Sequence, residues 1–307
     1  MSFSLTVGGL PLSFPLIISS GVWPMDVDFW KPPYTDGVGA ICTKGITLNP
    51  RGGNRGVRVW ETHSGLLNSI GLENPGIDGF LKDYLPMLKG RSVPLILNLW
   101  VEGLEDLKVM MDKLKPHRDE IDAIELNLSC PNVGKESHIL RRRVDELKAL
   151  VGSLRELWDR PLWVKLSPMS PSLIDEALAV EEEGADGVVI ANTWLGMAID
   201  VERERPVFER ITAGLSGPAI FPLTLRLVWE VSSSVRIAVI GSGGVSSWED
   251  AVAMILAGAW AVEIGSVTFW DLKAPLKIVK GMEDYLRRKG IAHYKDLVGR
   301  AKGGANP

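Results

Sequence analysis

Short apolar runs recur along this chain, and most are followed by a stretch in which apolar residues fall three and four positions apart. The runs are Leu16–Ser20, Val38–Lys44, Val93–Asn98, Ala123–Ser129, Leu162–Ser167, Gly187–Asn192, Ile237–Gly241 and Ala261–Gly265. Their length and continuity predict buried strands. Leu104–Leu114, Val144–Leu157, Leu173–Glu183, Ala219–Val231 and Trp248–Leu256 instead have the spacing of helices with one apolar face. Ser246-Ser247-Trp248-Glu249 has the spacing of a capping box at the start of the last of these. Eight strands alternating with helices predict an α/β protein of the (β/α)8 TIM-barrel class. A doubly wound open sheet is the alternative, because strand number alone does not prove closure. Leu5 to Leu12, Leu-Thr-Val-Gly-Gly-Leu-Pro-Leu, predicts a short N-terminal hairpin capping the barrel floor. No Ser/Pro/Gly linker or internal repeat divides the 307 residues, so residues 1–307 are expected to form a single barrel domain.

Barrel enzymes place their chemistry at the C-terminal ends of the strands. Here those ends carry Ser20-Gly21, Thr43-Lys44, Asn98, Asn127 with Cys130, Lys165, Asn192-Thr193, Gly241-Ser242-Gly243-Gly244 and Gly265-Ser266. All are polar or glycine except the sulfur, a pattern that predicts a site for a large polar ligand. The glycine-rich turns after the seventh and eighth strands offer unhindered backbone N–H groups near helix starts, which predicts a phosphate site. Period-two alternation pairs Cys42 with Lys44 and Trp163 with Lys165. If those faces point into the barrel, both ammonium groups need anionic partners, and Glu125, on the face of Asn127, can neutralise one. Cys42 is expected to be core packing. Leu66 to Gly76 lies in a long connection after the second strand, where Asn68 offers an amide and Gly71 lets a ligand approach the backbone. An ordinary turn is the other reading of that segment. Trp100, just past Asn98, is the aromatic placed to touch a ligand.

Asn127-Leu128-Ser129-Cys130-Pro131-Asn132 closes the fourth run with one ionisable sulfur among neutral hydrogen-bonding groups, and Pro131 stops the strand. No second Cys or His lies at metal-ligand spacing, which argues against zinc, and no metal is expected. None of His63, His117, His138 and His293 occupies a comparable strand end, which disfavours a His-activated nucleophile. What remains is a proton-transferring Cys130 beside a polar heterocycle held by amides, or a buried structural cysteine.

A net charge of −4 provides no basic field for nucleic acid. No apolar run reaches the roughly 18 residues of a membrane span, and the N-terminus lacks the cationic start of a signal peptide. The two cysteines, Cys42 and Cys130, form no CxxC pair. These features predict a protein of the reducing cytoplasm, and they exclude an iron–sulfur cluster held by this chain alone. Arg141-Arg142-Arg143 predicts a solvated basic face ahead of a helix.

In combination these residues resemble the dihydroorotate dehydrogenase family over nearly the whole chain. Thr43-Lys44-Gly45, Leu67 to Leu72, Asn127 to Asn132, Val164-Lys165-Leu166, Asn192-Thr193, Gly214 to Pro218 and Gly241 to Gly244 match its motifs in order. Cys130, where the membrane-associated class 2 has Ser, and the short N-terminus resemble class 1. Asn192 to Asp200 is similar to the heteromeric subclass 1B more than to the fumarate-using 1A. The resemblance implies flavin-dependent oxidation of (S)-dihydroorotate to orotate in de novo pyrimidine biosynthesis, with Cys130 removing the C5 proton and FMN accepting hydride from C6.

By the same resemblance, FMN is held by Ser20, Gly21, Lys44, Asn98, Asn127, Lys165, Gly217, Gly243, Gly244, Gly265 and Ser266, the last four on its phosphate. Substrate meets Lys44, Asn68, Gly71, Leu72, Asn127, Asn132, Asn192 and Thr193. An electron-transfer subunit carrying FAD and an iron–sulfur centre is the implied partner, in a homodimer or heterotetramer, with neither nucleic acid nor membrane. The rivals are another FMN-dependent dihydropyrimidine oxidoreductase and, from a different class, a non-catalytic phosphate-ligand-binding barrel. Three features depart from the family: the loop after Asn132 lacks a run of glycines, Phe221 replaces a Lys, and Trp100 replaces a small residue and narrows the site.

Overall fold

Alternation along the apolar runs separates two cores, as expected for strands buried on both faces. The computed structural model describes residues 3–128 and 140–304. In it Ile17, Ala40, Ile96, Ala123, Trp163, Val189, Ile240 and Ala261 share one buried cluster, while their neighbours Ile18, Ile41, Leu97, Ile124, Val164, Val188, Val239 and Val262 belong to another. Closure of the sheet separates the clusters: one fills the barrel and the other lies between strands and helices.

In chain order the strands are β1 (Leu5–Val7), β2 (Leu10–Leu12), β3 (Leu16–Ile18), β4 (Ala40–Cys42), β5 (Val59–Thr62), β6 (Gly65–Asn68), β7 (Leu95–Leu99) and β8 (Ala123–Asn127). They continue with β9 (Leu162–Lys165), β10 (Gly187–Ile190), β11 (Trp194–Met197), β12 (Ile199–Asp200), β13 (Arg205–Pro206), β14 (Thr212–Ser216), β15 (Ala238–Ser242) and β16 (Ala261–Ile264). Strands β3, β4, β7, β8, β9, β10, β15 and β16 form a closed parallel barrel. The pairing of β16 with β3, Val262 opposite Leu16 and Ile264 opposite Ile18, closes the ring and excludes the open sheet. The helices are α1 (Gly76–Gly79), α2 (Leu104–Leu114), α3 (Leu140–Leu157), α4 (Leu173–Glu182), α5 (Phe221–Ser232), α6 (Trp248–Leu256), α7 (Val267–Trp270) and α8 (Ala274–Lys289). Among the described residues no helix is long and apolar enough to cross a membrane.

The N-terminal hairpin plugs the barrel floor. Gly8 and Gly9 take φ of 47° and 78°, the left-handed pair that a two-residue hairpin turn requires. Val7, Leu10 and Leu12 complete the inner core, and Trp163 Nε1 donates to Gly8 O at 2.9 Å.

Three expectations need correction. The capping box of α6 joins Ser247 to Asp250, one residue later than Ser246 and Glu249: Ser247 Oγ accepts from Asp250 N, and the Asp250 carboxylate accepts from Ser247 N. Arg141 to Arg143 lie within the first turn of α3 rather than ahead of it. The connection after β4 is not simply a loop, because β6 and β5 join β14 and β11 in a four-stranded antiparallel sheet. Its order, β11-β14-β6-β5, unites segments far apart in sequence, so local periodicity does not reveal it.

Candidate active site

Above its apolar floor the barrel interior turns polar, one step of alternation along each strand. Ala123 gives way to Glu125, Trp163 to Lys165, Ile96 to Asn98, Ala261 to Glu263, Ile240 to Ser242, and Ile17 to Ser19. Strand register brings these side chains into one layer, with Glu125 beside Asn98 on β7 and Glu263 beside Ser242 on β15.

Lys165 is only 2% exposed, and its Nζ lies 2.6 Å from Glu263 Oε2 and 3.6 Å from Glu125 Oε1. Ser19 Oγ and Ser242 Oγ also donate to Glu263 Oε2, at 3.1 and 2.9 Å. Asn98 Nδ2 donates to Glu125 Oε1 at 2.5 Å, and Cys42 Sγ–H points at the same oxygen from 3.5 Å. Burial pulls the Lys165 ammonium down, but the two carboxyls outweigh it and hold Lys165 above the ordinary lysine value. Burial also raises Glu263, yet Lys165 and the hydrogen bonds donated to it leave that carboxyl below its usual range. Glu125 is pushed up to about 8, by burial first and then by the charge of Glu263. Burial drives the Cys42 thiol far upward as well, so it is an inert core group, as expected.

Directly above this layer opens a cleft of about 770 Å³. Its wall brings together Ser20, Gly21, Lys44, Asn68, Gly71, Leu72, Asn127, Lys165, Asn192, Thr193, Gly243, Gly244, Gly265 and Ser266, residues drawn from seven strand ends, from β6 and from the connection that follows it. Asn98 is not on the wall. It is fully buried, accepting from Asn127 Nδ2 at 3.4 Å while donating to Glu125. Gly217 also stands off the wall. Its φ of 103° and its fit against Gly65, where a Cβ would come within 2.5 Å of Gly65 Cα, require glycine there. Cys130 and Asn132 lie outside the described residues.

The upper wall is amide-rich. Asn192 Nδ2 donates to Asn127 Oδ1 at 3.5 Å, and Asn68 on β6 is held by Gly214 O of β14 at 3.2 Å. The distant pairing of β6 with β14 thus suspends Asn68 over the barrel mouth. Lys44 is half-buried on the same wall, and burial lowers its pKa, with Glu73 opposing that effect. At the far end, the N–H groups of Gly243, Gly244, Gly265 and Ser266 donate to no acceptor among the described residues. Orphan donors beside the start of α7 and the turn into α5 suit a phosphate-type anion. Among the described residues no group of three or more His, Cys, Asp or Glu is placed to hold a metal.

Sequence reasoning missed Glu263, whose signal was a carboxylate interrupting the apolar run Ala261–Gly265. It also missed Trp194 and Phe269 on the wall, which carry no distinguishing signal among the other aromatics. Trp100 does line the cleft, but Arg51 caps it: the guanidinium lies 4.5 Å from the ring centroid and is tethered to Glu102 at 2.5 Å.

The model of the dihydroorotate dehydrogenase family matches residues 2–286. A relative from Petrotoga mobilis, dihydroorotate dehydrogenase B (NAD(+)), catalytic subunit, is 38% identical over 96% of this chain and 98% of its own length. The protein of the same name from Geotalea uraniireducens is 40% identical, covering 96% and 97%. Among solved structures, a dihydroorotate dehydrogenase from Eimeria tenella in complex with ferulenol superposes with a TM-score of 0.79 at 20% identity, over 98% of this chain and 88% of that one, which is a likeness of fold. With a family match across most of its length and relatives at this identity, the chain belongs to the dihydroorotate dehydrogenase family.

Proposed function

We propose that this dihydroorotate dehydrogenase uses FMN as its resident cofactor and Cys130 as its base in the oxidation of (S)-dihydroorotate to orotate for pyrimidine biosynthesis. The family is flavin-dependent, and one observation carries the finer reading. A single cleft holds a buried lysine at its floor, the amides of Asn68, Asn127 and Asn192 on its wall and, at its end, backbone N–H groups with no acceptor among the described residues.

The residues present fit the group. Gly21, at φ 80°, has open space where a Cβ would stand, so a flat ring can lie against its backbone. Gly243 and Gly244, Gly265 and Ser266 would take the phosphate, and Ser20, Asn127 and Lys165 would face the ring. When bound, FMN supplies the acceptor for the hydride from C6 of the substrate.

The chain's own groups do the rest. Asn68, Asn127 and Asn192 match the carbonyl and N–H edges of a pyrimidine and fix its orientation. Lys44, half-buried, offsets the substrate carboxylate. Cys130, as thiolate, takes the proton from C5. The Lys165 cation favours negative charge at the cleft floor, on the side where the reduced ring would carry it. The partner's subunit in this reading carries FAD and an iron–sulfur centre, and the setting is the cytoplasm.

Anaerobic mixing of the purified chain with dihydroorotate, followed by flavin absorbance, tests the reading. The protein should be yellow and should bleach with dihydroorotate but not with dihydrouracil. A colourless chain that FMN cannot reconstitute would instead favour a non-catalytic binder.

A further inference from the structure

The polar layer beneath the cleft contains two carboxyls for one ammonium. Glu125 and Glu263 are 0% and 1% exposed, and each reaches Lys165 through one oxygen. Their other oxygens, Glu125 Oε2 and Glu263 Oε1, meet no hydrogen-bond donor among the described residues, although the two carboxyls converge on the same Nζ, at 3.6 and 2.6 Å. Two ionised carboxylates in this position would leave one buried negative charge uncompensated, with orphan acceptors besides. A single proton removes both problems at once.

We propose that Glu125 and Glu263 share one proton at neutral pH, so that Glu125 is a positioning residue that keeps the floor of the site electrically neutral beneath the cleft. Geometry says where the proton resides. Glu263 Oε2 receives three donors, from Lys165, Ser19 and Ser242, and is the ionised partner. Glu125 receives only Asn98 at short range and keeps the proton. The titratable groups facing Glu125 are Cys42 from β4, Lys165 from β9 and Glu263 from β16. Cys42 stays a neutral thiol and Lys165 stays charged, so Glu125 is the group whose ionisation changes the charge of the layer. That ionisation is raised to about 8, and above it the floor becomes anionic. For the bound flavin, and resting on the function proposed above, the proton keeps Lys165 from being overcompensated.

The sign of the linkage makes the proton measurable without cofactor. Glu125 binds its proton more tightly in the folded chain than in the unfolded one, so its contribution to stability is complete below the ordinary carboxyl range and is lost as pH rises toward 8. Across that window the unfolding constant of the wild-type chain, relative to Glu125→Gln, should rise by about tenfold per pH unit. Glu263→Gln should remove the same slope, because the remaining carboxyl then ionises against Lys165. Should Glu263→Gln fail to fold, infrared spectroscopy decides. The folded wild type at pH 7 should show a protonated-carboxyl band that shifts with ¹³C-glutamate and is absent in Glu125→Gln.

In flavin-loaded protein, the midpoint potential of the wild type should fall more steeply above pH 8 than that of Glu125→Gln. Parallel stability profiles of wild type and Glu125→Gln, or the absence of the carboxyl band, would overturn the shared proton. A chain that binds no flavin would defeat the functional reading while the stability and infrared measurements still decide the proton.

Discussion

Lys165 Nζ lies 2.6 Å from Glu263 Oε2 across a sequence separation of 98 residues, and neither residue is more than 2% exposed. Removing the lysine therefore does more than remove a charge from the cleft floor. Lys165→Met should destabilise the chain by about 3–5 kcal/mol, because Glu263 is left as an uncompensated buried anion. The variant recovers by protonating that carboxyl, so the deficit shrinks at low pH and grows at high pH. Urea unfolding at pH 6 and pH 9 checks both the magnitude and its direction. A deficit that does not change with pH would mean that the pair is not ionic.

Two glycines should separate fold from ligand. At Gly244, φ is 81° and a Cβ would lie 2.5 Å from Phe221 N at the start of α5. Gly244→Ala should cost about 1–3 kcal/mol in the flavin-free protein and weaken FMN as well, since the turn itself must move. Gly21 has a similar φ but open space around the missing Cβ. Gly21→Ala should cost only the left-handed backbone term, about 1–2 kcal/mol, yet weaken FMN disproportionately because the new methyl points where the ring would lie. Paired denaturation and flavin-fluorescence titrations would distinguish the two.

The barrel was legible because its information is local. Each strand is a continuous apolar run, and each strand end carries its polar residue at a fixed offset, so Lys165, Asn127 and Gly243-Gly244 could be placed at the mouth from spacing alone. Glu263 was not, because one carboxylate in an apolar run reads as an interruption until closure of the barrel brings it across the interior to Lys165 on β9. Asn98 was expected at the ligand. It lies in the same polar layer as Lys165, fully buried and bonded to Glu125 and Asn127. The sheet that carries Asn68 was hidden for a third reason: β6 finds its partner β14 well over a hundred residues away.

Cys130→Ala should leave flavin bound but slow its reduction by dihydroorotate by about 10²–10⁴-fold, the usual cost of losing a general base. Cys130→Ser should recover part of the rate only at high pH, since a hydroxyl is a far weaker acid than a thiol. Stopped-flow bleaching under anaerobic conditions measures both. An unchanged rate in Cys130→Ala would end the assignment of the base.

The remaining prediction concerns where the electrons go. Oxidising the substrate delivers two electrons to the cleft, and they must leave before a second turnover. Two cysteines cannot ligate an iron–sulfur cluster, which takes four such ligands, and the sequence shows no second nucleotide-binding motif. The relatives at 38% and 40% identity are named catalytic subunits, a term that implies another subunit. The isolated chain should therefore reduce artificial acceptors with dihydroorotate but leave NAD untouched, and co-expression with an FAD and iron–sulfur subunit should restore NAD reduction. Steady-state assays with each acceptor make the test. Rapid NAD turnover by the chain alone would refute the need for a partner, and rapid turnover with fumarate would place the electron outlet in the cleft itself.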